Sequence, residues 1–198
     1  MKEKIIDAAL QQFLEQGIQK VTMQKLAVHF GISIKTIYAY FPDKEELVEE
    51  CLRLFYQETD EQLLGLIKGA PNALVSICQA YSKIIDLEFG RNYLINQDLN
   101  YYYPKLQDKA LSEYGKGAFE ILTGIINRAM DEGYFTPFLT PYVVLESLSV
   151  IFRSVTRYEA YKDFDKKAAL VKRNMGAYIK SICTEKGVQE MDRLNLLT

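Results

Sequence analysis

Lys35, Thr36, Tyr38 and Ala39, with Ile34 and Tyr40 at the margins, form one outward stripe on a short helix. A cation, a hydroxyl, a phenol and exposed apolar surface suit few partners on a solvated face. They suit the major groove of double-stranded DNA. A lysine can donate to guanine O6 and N7, an isoleucine can pack on a thymine methyl, and hydroxyls can hold phosphates. Ile34, Lys35 and Tyr38 are the base-facing candidates. Thr22, Gln24, Lys25, Ser33, Thr36, Tyr40 and Lys44 are the phosphate or flanking candidates.

The elements that must hold this stripe are two short helices in Val21–Phe41, VTMQKLAVHFGISIKTIYAYF. Thr22 can cap a first helix, Met23–Phe30, and Ser33 a second, Ile34–Tyr40. Gly31 stands at the end of the first, where a left-handed backbone is cheap only for glycine. Leu26, Ala27 and Phe30 share one face of the first helix; Ile37 and Phe41 share one face of the second. Ala27 is small enough to let two helices cross closely. The spacing is that of a helix-turn-helix. Upstream, Lys2–Gln16 is amphipathic through Ile5, Ile6, Ala9, Leu10, Phe13 and Leu14, and supplies the surface that two short helices lack.

These residues resemble the DNA-binding domain of the TetR family of bacterial transcriptional repressors. The matching pieces are Thr22, Leu26-Ala27, Gly31-Ile32-Ser33, Thr36-Ile37-Tyr38, Tyr40-Phe41 and Lys44-Glu45-Glu46-Leu47. The resemblance covers about a quarter of the chain. It implies an all-α protein with an N-terminal helix-turn-helix domain and a C-terminal helical domain that binds a small-molecule effector and dimerises. It further implies a phosphate contact for Lys44. Asp43 is a good N-cap for the next helix, with Glu46 three residues on. A lysine at the first helical position opposes the helix dipole, so stability alone does not account for Lys44.

Charge bears on the same question. The chain has 198 residues and a formal net charge of -2. Residues 1–44 carry Lys2, Lys4, Lys20, Lys25, Lys35 and Lys44 against Glu3, Asp7, Glu15 and Asp43, a net of +2, and no arginine precedes Arg53. Affinity for phosphate follows local charge. With so few cations, two copies are needed for firm binding.

The remainder reads as helices: one continuing from Glu45 to near Gly69, then Asn72–Phe89, about Asn92–Tyr101, a long one over Lys105–Glu132, Thr140–Tyr161 and Asp165–Thr184. Thr140–Tyr161 is apolar nearly all round, so burial on every side is expected. One chain cannot cover both of the last two helices, and a four-helix bundle across a twofold axis would. The expected domains are 1–46 for DNA, 47–186 for effector and dimerisation, and a frayed tail over 187–198.

Aromatic residues Tyr81, Phe89, Tyr101, Tyr102, Phe119 and Phe152, with Asp86, Glu88 or Asp98 nearby, are candidates to line an effector site for a flat or cationic ligand. Cys51, Cys78 and Cys183 have no metal-type spacing and indicate a reducing, cytoplasmic setting. Asp7 interrupts any apolar leader, and no apolar run approaches membrane-spanning length. His29 stands alone, and no hydrolase, P-loop or dinucleotide motif occurs, so neither an enzyme nor a cofactor is expected. A helical small-molecule sensor without DNA function is the alternative; it would leave Lys35, Tyr38 and Lys44 indifferent to substitution.

Overall fold

α1 (Lys2–Gln16) turns one face inward, with Ile5, Ala9, Leu10 and Phe13 at most 1% exposed. α2 (Met23–Phe30) and α3 (Ile34–Tyr40) follow, then α4 (Lys44–Gly69), a helix of 26 residues. The computed structural model describes residues 1–90, 93–156 and 164–194, without the side chains of 156, 164 and 165. Among these residues there are eleven helices and no strand, apart from one isolated bridge between Phe135 and Cys183. The all-α architecture expected from the sequence is what is found. No helix among the described residues is long and apolar enough to cross a membrane.

The remaining helices are α5 (Ala73–Phe89), α6 (Tyr93–Tyr102), α7 (Pro104–Tyr114), α8 (Lys116–Asp131), α9 (Pro141–Thr156), α10 (Phe164–Ser181) and α11 (Glu185–Leu194). The chain divides into two compact units. One comprises Met1–Asp60 and Arg91–Gly117; the other comprises Glu61–Gly90 and Ala118–Thr198. The first unit is therefore larger than residues 1–46. Leu47, Val48, Cys51 and Leu52 of α4 belong to its core, as do Ile95 and Leu99 of α6 and Leu106 and Ala110 of α7. Each of these leucine, isoleucine and valine side chains contributes about 1.5–3 kcal/mol on burial.

The second unit centres on α5. Asn72 caps it by accepting the Val75 N–H at 2.9 Å, and Glu132 accepts the Ala73 N–H at 2.9 Å. α10 packs against both α5 and α9. The three cysteines are unpaired; burial pushes the Cys78 thiol up to about 12 and the Cys183 thiol up to about 11.

Three expectations change. The helix expected over Lys105–Glu132 is broken at Gly115 into α7 and α8. The apolar period runs through the glycine and so conceals the break. The segment expected as a frayed tail over 187–198 carries α11 as far as Leu194, while 195–198 lies outside the described residues. Met191 is 3% exposed, and Gly187 packs so closely on the Tyr134 carbonyl oxygen that no Cβ would fit, so this helix is tied down.

The third change concerns the helix expected over Thr140–Tyr161. It begins at Pro141 as α9 and is described to Thr156; residues 157–161, Tyr158 among them, lie outside the described residues. Within the single chain, part of the α9 surface is left uncovered. Val144, Leu145 and Leu148 are buried, but Tyr142, Val143 and Val150 are 63%, 43% and 52% exposed within one chain. On α10, Val171 and Met175 face the core, while the small Ala169 and Ala177 are exposed.

Candidate nucleic-acid interface

Local caps set the geometry of the two short helices. The Thr22 hydroxyl accepts the Lys25 N–H at 3.1 Å, and the Ser33 hydroxyl accepts the Thr36 N–H at 3.1 Å. Gly31 adopts φ 63, ψ 30, and its N–H reaches the carbonyls of Ala27 and Val28. No neighbour comes within 4 Å of a Cβ placed there, so the glycine is required by backbone conformation alone. Ala27 is 3% exposed at the crossing, and Ile37 and Phe41 are fully buried. Asp43 accepts the Glu46 N–H at 2.9 Å, starting α4.

With Ile37 pinned inward, α3 presents its other face to solvent. Lys35, Ala39 and Tyr40 are exposed, and Tyr38 is 47% exposed. Ile34 and Thr36 are half-buried. Lys35 makes no hydrogen bond or ion pair with the described residues. The Thr36 hydroxyl lies 2.8 Å from that of Ser33, so these two form a pair at the helix start. A free ammonium, a phenol and a capped helix N-terminus in one surface are a workable DNA-reading face.

α2 flanks it. Thr22, Gln24 and Lys25 are exposed, together with Val28 and His29, around an open depression of about 380 Å³ that also includes Gln12. The Lys25 ammonium donates to the Lys20 carbonyl at 2.9 Å. Val28, 74% exposed, was not distinguished by the sequence, because an apolar residue on a polar face gives no periodic signal.

Lys44 has a structural task that the sequence did not reveal. Its ammonium donates to the Ile18 carbonyl at 2.5 Å. Burial lowers its pKa, with the Asp98 carboxylate acting in the opposite direction. A hydrogen bond to a carbonyl 26 residues away thus offsets the unfavourable helix dipole at Lys44. Lys44→Met is expected to lower stability by about 1 kcal/mol, the value of a partly solvated charge-assisted bond. A urea unfolding midpoint shifted downward at unchanged slope is the expected result; an unmoved midpoint would show that the bond contributes nothing.

The aromatic effector candidates fall in both units. Tyr81 is buried in the core of the second unit, and Phe89 and Phe152 pack against that core half-buried. Phe119 is 45% exposed on α8. Tyr101 and Tyr102 belong to the first unit, 69% and 54% exposed, with their rings edge to face at 5.0 Å. The carboxylates proposed to meet a cationic ligand already have protein partners. Asp86 pairs with Lys172 at 2.7 Å, and Asp98 accepts the Gln19 N–H at 2.8 Å. Burial pushes Glu88 up to about 7, against the pull of the buried Lys167. The Tyr81 hydroxyl is buried without a hydrogen-bond partner among the described residues. Among the described residues, no cluster of His, Cys, Asp or Glu has the arrangement to hold a metal ion.

Residues 5–51 match the family model described as bacterial regulatory proteins, tetR family. The fatty acid metabolism regulator protein of Bacillus subtilis is 28% identical over 132 residues, which is 66% of this chain and 68% of that one. The HTH-type transcriptional repressor KstR2 of Mycobacterium tuberculosis is 22% identical over 137 residues, 68% of each chain. Among solved structures, a transcriptional regulator from Cytophaga hutchinsonii superposes with TM-score 0.76 at 24% identity, over 92% of this chain and 98% of that one. The regulator FadR of Bacillus subtilis, in complex with stearoyl-CoA, superposes with TM-score 0.67 at 20% identity, over 92% of this chain and all of the other.

Proposed function

We propose that this chain, whose residues 5–51 match the model of the tetR family of bacterial regulatory proteins, is a cytoplasmic homodimeric repressor released from its operator by a long-chain acyl-CoA. The observation that carries the DNA-binding part is the exposed face of α3 around Lys35 and Tyr38, held outward by buried Ile37. Each subunit inserts this helix into a major groove. The half-sites of the palindromic operator lie roughly 34–36 Å apart, one helical turn.

Exposed Tyr142, Val143 and Val150 on α9 support pairing of two copies, as do the small exposed Ala169 and Ala177 on α10. Apolar side chains at adjacent helical positions are a surface that a second subunit covers. The effector class is suggested by FadR bound to stearoyl-CoA. It is supported by the apolar core around Tyr81, Phe89 and Phe152, in which the Tyr81 hydroxyl has no hydrogen-bond partner among the described residues. The effector acts by favouring a second arrangement of the α4 connection, in which the half-site spacing is wrong. The protein has no catalytic step of its own.

The test is selection of DNA from a random library, followed by titration of the enriched sequence in a salt series and then with stearoyl-CoA. A palindrome bound with affinity that falls steeply with salt, by a species sedimenting as a dimer, is expected. Release by stearoyl-CoA at micromolar concentration is expected next. A monomer with no enriched sequence would overturn the whole reading; DNA binding indifferent to stearoyl-CoA would overturn the effector alone.

A further inference from the structure

The loop between α1 and α2 has no repeating structure of its own, yet Ile18 and Gln19 are held by hydrogen bonds from outside and Gly17 is closely approached. Gly17 takes φ +81, and a Cβ there would meet the Asp98 Oδ2 atom at 2.7 Å. The Ile18 carbonyl accepts from Lys44 at 2.5 Å. The Gln19 N–H donates to Asp98 Oδ2 at 2.8 Å. One carboxylate oxygen therefore closes on both Gly17 and Gln19.

Asp98 stands on α6, 79 residues from Gln19 in the chain. Ile95 and Leu99, its neighbours on that helix, are 1% and 3% exposed in the core of the first unit, so the carboxylate is presented from a fixed base. Beyond the loop, Lys25 holds the Lys20 carbonyl and Thr22 caps α2. α2 packs directly on α3 across the Gly31 turn. A displacement of residues 17–19 is passed to the reading helix through these short, rigid connections.

We infer that Asp98 is a positioning residue for DNA recognition: from α6 it fixes the Gly17–Gln19 loop and thereby the placement of α2 and α3. The inference rests on the DNA-binding reading above. Gln19 lies at the surface, where water can replace the carboxylate as acceptor. Loss of Asp98 thus costs orientation before it costs the fold. The residue touches no DNA and acts through the loop. α6 opens the second stretch of the first unit, so the clasp ties that stretch to the loop ahead of α2.

The experiment compares wild type, Asp98→Ala, Asp98→Asn and Asp98→Glu on the DNA that the wild type selects, well below their melting temperatures. Asp98→Ala is expected to weaken binding about tenfold, the value of a hydrogen bond to a charged acceptor. Faster amide exchange is expected at Gln19 and the loop only. Asp98→Asn keeps an acceptor and is expected to bind within about threefold of wild type. Asp98→Glu keeps the charge but drives an extra methylene toward Gly17, and is expected to weaken binding while remaining folded. Should Asp98→Ala fail to fold, Asp98→Glu decides. Unchanged affinity in a folded Asp98→Ala or Asp98→Glu protein overturns the inference. So does a loss accompanied by uniformly faster exchange through α1, α2 and α3. A wild type that selects no DNA overturns the reading beneath it, a distinct result.

Discussion

Phe41→Ala is expected to destabilise the first unit by about 3–5 kcal/mol, the usual cost of removing a buried aromatic ring. Phe41 is fully buried at the exit of α3. Its backbone is extended at φ -134, ψ 106, as a residue before proline prefers, and Pro42 follows. Its N–H still closes the last turn on the Ile37 carbonyl at 3.0 Å, and the Lys2 ammonium lies 5.5 Å from the ring centre. This side chain thus lies in the core cluster to which α1, α3 and α4 all contribute. A loss of this size is a large share of a domain's total stability. Urea unfolding should show a midpoint far below wild type, and DNA binding should disappear in parallel. A shift below about 1 kcal/mol would mean that the ring is not packed as described.

The second large effect is the converse. Lys35→Ala combined with Tyr38→Ala is expected to reduce operator affinity at least about a hundredfold, since each good base contact is worth about 1–3 kcal/mol. Both side chains are exposed on α3, so the unfolding midpoint should stay within about 0.5 kcal/mol of wild type. Titration of the enriched DNA by anisotropy measures the first quantity and urea unfolding the second. Retained affinity in the folded double variant would remove α3 from the reading role and favour a sensor without DNA function. Phe41 and Tyr38 are three residues apart, yet one carries the fold and the other the contact.

The caps explain how much could be read in advance. Thr22, Gly31, Ser33 and Asp43 each act on backbone groups within a few residues, so α2, α3 and the start of α4 follow from the local sequence. The inward set Ile5, Leu10, Phe13 and Ile37 follows from helical period for the same reason. What escaped was everything set by distant partners. The amphipathic pattern of α6 and α7 shows that they bury a face, but not which core receives it. The Lys44 hydrogen bond and the Asp98 clasp join residues 26 and 79 apart in the chain. α11 escaped because most of it is polar and its hold rests on Gly187 and Met191. The break at Gly115 escaped because Leu111 and Phe119 keep the helical spacing across it, although both are exposed. The effector site was the least legible part. Aromatic residues are common in any helical core, and their number does not say which of them share a wall.

The first unit is built from two stretches of chain separated by a piece of the second. Head-swapping, the joining of one regulator's reader to another's sensor, must respect that interleaving. A chimera cut after Asp60 would strip the transplanted head of Ile95, Leu99, Leu106 and Ala110, four side chains its core requires. It would also remove Asp98, whose carboxylate accepts the Gln19 N–H of the loop ahead of α2. The smallest portable reader in this architecture is a discontinuous graft of residues 1–60 with 91–117.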